Sequence, residues 1–169
     1  MDVALPIALV AVVVASLVAL VDGLTRRRTL QRTLDRAWHE VPRDGETGLY
    51  DRRVCLQRVA AELKRAGRGG GTVWVGMVTV LDGNPDRFGR MLADSLRVPE
   101  VAFRLDERVV CIARPDLDAA EREDLLGRIG ASAPREHLAF GEVVWRGAAD
   151  GDARVLLEAA AASVQEGVQ

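Results

Sequence analysis

The chain has 169 residues, 49% of them hydrophobic and 28% charged, with a formal net charge of −2. That length fits one domain of ordinary size plus an appendage, and the near-neutral balance supplies no basic face, which argues against nucleic acid as a partner. Two cysteines occur, Cys55 and Cys111, remote from each other and without metal-ligand spacing, so buried reduced thiols are expected rather than a disulfide or a metal centre.

The stretch VALPIALVAVVVASLVALV, residues 3–21, carries no charge and is long enough to cross a hydrocarbon core of about 30 Å as a helix. A cleaved signal peptide and a buried soluble helix are the rival readings. A signal peptide wants positive charge ahead of the apolar run, and only Met1 and Asp2 precede it. Arg26, Arg27 and Arg28 follow instead, which predicts a retained single span in the cell membrane, N-terminus outside and C-terminal domain cytoplasmic. Residues 1–23 are read as this anchor and 24–43 as a juxtamembrane linker helix. Within it Leu30, Leu34, Trp38 and Val41 form one apolar stripe, which either packs on the protein's own domain or makes a parallel homodimer contact. Pro42 ends that helix, and Asp44-Gly45 makes a turn.

Helical and strand patterns then alternate. Residues 50–66 place Cys55, Leu56, Val59, Ala60 and Leu63 on a helical stripe that ends at GRGGG, 67–71. That run reads as a flexible helix-to-strand loop rather than a phosphate loop, because no Lys-Ser/Thr follows. TVWVGMVTVL, 72–81, is apolar and β-branched almost throughout, as a strand buried on both faces must be. Asp82-Gly83 turns the chain, and Asn84 caps a helix with Pro85 at its first position and Phe88, Met91, Leu92 and Leu96 on its buried face. EVAFRL, 100–105, and RVVCIA, 108–113, read as a tight hairpin joined by Asp106 and Glu107 alone. Asp118 with Glu121 forms a capping box for a helix over 118–129 that Gly130 stops. HLAFGEVVWR, 137–146, is a further strand with Gly141 as a bulge or close-approach point, and a last helix covers 152–165. Trp74 and Trp145 fall in strands and are expected in the core.

This order predicts an α/β (α+β) fold of the ferredoxin-like, split βαβ kind, with a mostly antiparallel sheet covered by helices on one or both faces. Residues 44–169 form this domain. Its local wording resembles the GGDEF family, the diguanylate cyclase domains that make cyclic di-GMP from two GTP. The loop ahead of that family's first helix reads D-x-L-T-G-L-x-N-R-R. Here it keeps Asp44, Thr47-Gly48-Leu49 and Arg52-Arg53, with Glu46 and Asp51 replacing the leucine and the asparagine. VAFRLDERVVCIARPD, 101–116, looks like the signature hairpin and its return strand, LAFGEVVW, 138–145, like the S-x-G strand, and 153–167 like the final helix.

The resemblance implies a checkable chemistry. A cyclase hairpin uses two glycines so that backbone can approach a triphosphate without Cβ atoms in the way, then an acidic pair for the metal ions. Aligned on the hairpin, Arg104 and Leu105 stand for the glycines, Asp106 and Glu107 keep the acidic pair, and Arg108 stands for the phenylalanine. The family's first strand ends in D-x-D-x-F-K, of which only Asp82 remains. Its guanine-recognition helix is expected to be missing, because the chain between Asp82 and the hairpin has room for one helix. The product-inhibition motif R-x-x-D has only a loose counterpart in Arg97-Val-Pro-Glu100, shifted in position and with glutamate in place of aspartate. No other constellation replaces these losses: His39 and His137 lack ligand partners at metal spacing, and Ser95, Ser132 and Ser163 sit in no nucleophile elbow.

The expected function is therefore a catalytically inactive, membrane-anchored GGDEF-like module that signals through an unidentified protein partner, dimerising through Leu30, Leu34 and Trp38. The first alternative is a non-catalytic receptor for GTP or cyclic di-GMP, with Asp82, Arg97 and Glu100 as candidate contacts and Mg²⁺ as a cofactor in that case alone. The second is a diguanylate cyclase after all, by another alignment or as half of a heterodimer.

Overall fold

One strand organises the domain. In β2 (Thr72–Asp82), Val73, Val75 and Met77 point to one side of the sheet while Trp74, Val78 and Val80 point to the other, and all six are buried. Such a strand must lie inside a sheet that carries helices on both faces. The computed structural model describes residues 42–134, 136–147 and 151–166, with Gln165 and Glu166 described by backbone alone. The predicted anchor and the linker helix up to residue 41, with Leu30, Leu34 and Trp38, lie outside the described residues; Pro42 and Arg43, read as the end of that linker, belong to the domain instead, Arg43 bridging to Tyr50. Among the described residues no helix is long and apolar enough to cross a membrane.

The elements are β1 (Tyr50–Asp51), α1 (Arg52–Gly69), β2, α2 (Pro85–Ser95), β3 (Val101–Arg104), β4 (Val109–Pro115), α3 (Ala119–Ala131), β5 (His137–Arg146), α4 (Ala153–Ala162) and β6 (Gln165–Glu166). They form a sheet of order β1-β3-β4-β2-β5-β6 in which β1 pairs with β3 in parallel and every other pair is antiparallel. Strands β3-β4-β2-β5 with crossovers α2 and α3 make the expected split βαβ unit, and β1 and β6 extend it at the edges. On one face α1 (Cys55, Val59, Leu63, Ala66) and α4 (Ala153, Leu156, Ala160) cover Val73, Val75, Met77, Phe103, Cys111 and Ala113. On the other, α2 (Phe88, Leu92) and α3 (Leu125, Ile129) cover Trp74, Val78, Ala102, Val110, Ile112 and Leu138.

Most boundaries follow from caps the sequence displays. Asn84 accepts from Arg87 N with Pro85 at the first turn of α2, and the Asp118/Glu121 capping box of α3 is complete. Four boundaries differ from expectation. Helix α1 starts at Arg52, because Tyr50 and Asp51 are drawn into the sheet beside Phe103 and Arg104. It also runs through Gly67 and Gly69 before Gly70, at φ 71°, ends it. Gly130 does not stop α3: Ser132 closes the last turn through its own N–H and hydroxyl, which both donate to Arg128 O. Finally, α4 ends at Ala162 and the chain returns as β6 along Ala139 and Phe140. Gly141 is the close-approach point this return needs, since a Cβ there would lie 2.4 Å from Val164 N; the sheet's irregularity sits instead on β2 between Val80 and Asp82.

Both thiols are buried and free. A hydrogen bond with Cys55 and burial together push the Cys111 thiol well above its ordinary pKa, so it stays protonated and unreactive.

Candidate functional site

The hairpin that carries the family resemblance is the place to look for chemistry. Strand β3 pairs with β4 from Val101↔Ala113 to Arg104↔Val110. The two-residue turn expected from sequence is in fact four residues long, Leu105 to Arg108. Leu105 N and Asp106 N both donate to Val109 O, at 2.9 and 3.3 Å, which closes the wider loop. Asp106 and Glu107 are exposed at its tip, where Asp106 Oδ1 accepts from Glu107 N at 2.6 Å. Leu105 turns inward, half-buried against the core under α1 and α4.

Arg104 does not face open solvent. Its side chain is 15% exposed, its Nη1 donates to Asp44 Oδ1 at 2.8 Å, and its Nη2 lies 2.6 Å from Asp86 Oδ1, an ion pair without hydrogen-bond alignment. Asp44 belongs to the loop ahead of α1, and the same Oδ1 accepts from Thr47 N at 2.9 Å and Thr47 Oγ1 at 2.7 Å, an Asx turn. Thr47 is buried and pressed onto α2 at Gly89, where a Cβ would lie 2.5 Å from Thr47 Cγ2. Asp86 stands in the first turn of α2. One guanidinium thus ties the leading loop, the hairpin strand and α2 together, and it occupies the space a small backbone residue would leave.

Electrostatics agree with this geometry. Burial pushes the Asp44 carboxyl up, but hydrogen bonds from Thr47 and Arg104 outweigh it and hold the group below its usual range. Burial lowers the Arg104 pKa, yet Asp44 and Asp86 more than offset it, so the cation is fixed. Arg108 is also committed: its Nη1 donates to Val80 O at 2.8 Å and Leu81 O at 2.9 Å, closing the irregular end of β2. Beside Arg104 an open cleft of roughly 210 Å³ is lined by Asp44, Asp51, Arg52, Arg104, Leu105 and Asp106.

The three candidate nucleotide contacts do not meet. Asp82 sits at the end of β2 opposite His137, exposed, with its carboxylate accepting from Gly83 N. Arg97 and Glu100 precede β3 at the other end of the sheet, beside the Val101↔Ala113 pair rather than the Thr79↔Val109 pair near Asp82. There they join a second constellation. The Glu100 side chain is 4% exposed and is gripped by Arg128 through both oxygens, at 2.8 and 2.5 Å, while Arg97 N donates to its Oε2 at 2.7 Å and Arg114 lies 3.8 Å away. Burial raises the Glu100 carboxyl, and Arg128 above all reverses this, leaving it below its ordinary value. Arg97, Val98, Arg114, Asp124 and Arg128 line an open cleft of roughly 400 Å³ around it. Arg114 and Arg128 were not legible as site residues. Arg114 is one polar position in a strand, and Arg128 reads as a last-turn cation complementing a helix dipole.

The residues do not fit the metal pair that the resemblance implies. Asp106 and Glu107 lie at a loop tip, a chain cation already sits between Asp44 and Asp86, and among the described residues no cluster of three His, Cys, Asp or Glu is arranged to hold a metal ion.

No family model matches the chain, and no curated protein does. Solved structures do. Diguanylate cyclase SiaD from Pseudomonas aeruginosa, solved with its activator SiaC, is 19% identical with a TM-score of 0.66, covering 89% of this chain and 67% of that one. The coiled coil and GGDEF domain of DgcB from Caulobacter crescentus, in complex with c-di-GMP, is 15% identical with a TM-score of 0.64 over 86% of this chain and 90% of that one. The GGDEF domain of FimX from Pseudomonas aeruginosa is 14% identical with a TM-score of 0.60 over 72% and 90%. At these identities the likeness is one of fold: the chain folds as GGDEF domains do.

Proposed function

We propose that this chain is a GGDEF-like module that has given up catalysis and works in cyclic di-GMP-related signalling by contact with a protein partner, held at the membrane by residues 3–21. One observation carries the reading: the guanidinium of Arg104 fills the hairpin position where a cyclase needs bare backbone, and it is ion-paired there with Asp44 and Asp86. A triphosphate would have to displace a cation that two carboxylates hold, and Leu105 would still obstruct the adjacent position. The solved structure of SiaD with its activator offers a precedent for a protein of this fold in a protein complex. The test is product analysis after incubating the full chain in detergent with GTP and Mg²⁺. No cyclic dinucleotide above the no-protein control is expected, and turnover would overturn the proposal.

A second reading, a receptor without turnover, is favoured by the arginine-lined cleft around Glu100. DgcB was solved with c-di-GMP. Calorimetric titration with GTP and with cyclic di-GMP separates the two readings: heat with cyclic di-GMP that Arg128→Ala abolishes supports the receptor, and no heat at high micromolar ligand leaves the partner-binding module.

A further inference from the structure

We propose that the outward face of α1 is a docking surface for an anionic lipid surface. The near-neutral charge of the whole chain, −2, conceals a helix with six basic side chains and one acidic, a net of +5, so the remainder is net acidic. The one acid within the helix, Glu62, is buried and pairs with Arg58 at 2.9 Å and Arg65 at 2.7 Å, and Asp51 at the N-cap pairs with Arg53 at 2.9 Å. Cys55, Val59, Leu63 and Ala66 face the core, which turns Arg53, Gln57, Ala61, Lys64 and Arg68 to the opposite side. Lys64 and Arg68 have no carboxylate partner among the described residues. Exposed apolar side chains occur on the two helices of that sheet face: Leu56 is 41% exposed on α1, and Val155 is 60% exposed on α4. Cations with exposed aliphatic side chains are what an interfacial helix presents to headgroups and the acyl boundary.

Lipid is favoured over other polyanions by the same chain's residues 3–21, uncharged over the length of a bilayer span, so the inference rests on the anchor reading. A tether raises the effective concentration of the domain at the membrane, where even a few weak cation–headgroup attractions hold a face down.

Lys64 is the only lysine in the chain, so amine acylation reads this face alone, apart from the N-terminal amine. The full chain is reconstituted into vesicles of phosphatidylcholine, with or without about 30% phosphatidylserine, and Lys64 acylation by a water-soluble ester is followed by peptide mass spectrometry. Acylation is expected to slow at least about threefold in the anionic vesicles, to recover in about 0.5 M salt, and to lose most of its slowing in Gln57→Glu/Arg68→Gln. Equal rates in the two vesicle types would overturn the proposal. So would protection by an added DNA duplex in neutral vesicles without protection by anionic lipid. If alkaline carbonate extracts the chain, the anchor reading has failed separately. The same chain added to preformed anionic vesicles then decides the matter for α1: slowed acylation supports the surface, and unchanged acylation rejects it.

Discussion

Arg104→Met removes the charge that joins three elements while keeping an apolar stem of similar reach. Arg104 makes one aligned hydrogen bond to Asp44 at 2.8 Å and an ion pair with Asp86 at 2.6 Å, with side-chain exposures of 15% for Arg104, 26% for Asp44 and 36% for Asp86. A charge-assisted hydrogen bond contributes about 1.5–3 kcal/mol, and breaking a fully buried pair costs about 3–5 kcal/mol. Solvent screening at the partly exposed carboxylates reduces this, so about 2 kcal/mol is expected, or a Tm lower by about 8 °C for a domain of this size. The sign with pH follows from Asp44, whose carboxyl is held below its ordinary 3.8 by Thr47 and Arg104 against burial. A depressed carboxyl stabilises the fold above its unfolded pKa and loses that contribution as pH falls through the folded value. The gap between wild type and Arg104→Met is therefore full at neutral pH and narrows once pH drops below 3.8. Thermal unfolding of the full chain in detergent, followed through the buried Trp74, measures both. A variant within about 1 °C of wild type at pH 7, or a gap that persists unchanged at about pH 3, would refute the idea that Arg104 is a structural cation.

Three further outcomes are expected. Glu100→Gln leaves Arg128 and Arg114 facing a neutral group in a site where the wild-type carboxylate is 4% exposed, and should cost about 2–3 kcal/mol at pH 7. That loss shrinks as pH falls below the carboxyl's ordinary 4.5, since its folded pKa is depressed, and urea midpoints across pH read it. Gly89→Ala sets a Cβ 2.5 Å from Thr47 Cγ2 and should destabilise by about 1–3 kcal/mol, seen as a lower Tm. Gly141→Ala meets backbone instead, 2.4 Å from Val164 N, so hydrogen exchange should show the β6 pairing with Ala139 and Phe140 lost before the rest of the sheet loosens.

Much of the fold was legible because its signals are local. The two-faced strand β2, the Asn84 and Asp118 caps and the extent of β5 each depend on residues within a turn or a pleat of one another. The errors arose where something distant intervened. Tyr50 and Asp51 left the predicted helix because β3 offered them partners, and α4 ended early because β5 accepted a returning strand. The hairpin was located correctly, but its turn was not, since Leu105 N and Asp106 N both donate to Val109 O and widen the loop, while Arg108 turns to β2, accepting from Val80 N and donating through its guanidinium to Val80 O and Leu81 O.

The candidate site divides the same way. From the sequence the hairpin could be located and the residues at its turn, Arg104 to Arg108, read off directly, because residue type at a position is a local fact. What Arg104 does follows from the fold. Its partner Asp44 lies 60 residues away in the chain, and the two meet because β1 pairs with β3 and α2 packs across them. The fold also places Asp82 apart from Arg97 and Glu100 and closes Arg114 and Arg128 on Glu100. Such ion pairs depend on how strands and helices are placed in space, and periodicity along the chain carries no information about which distant residues meet.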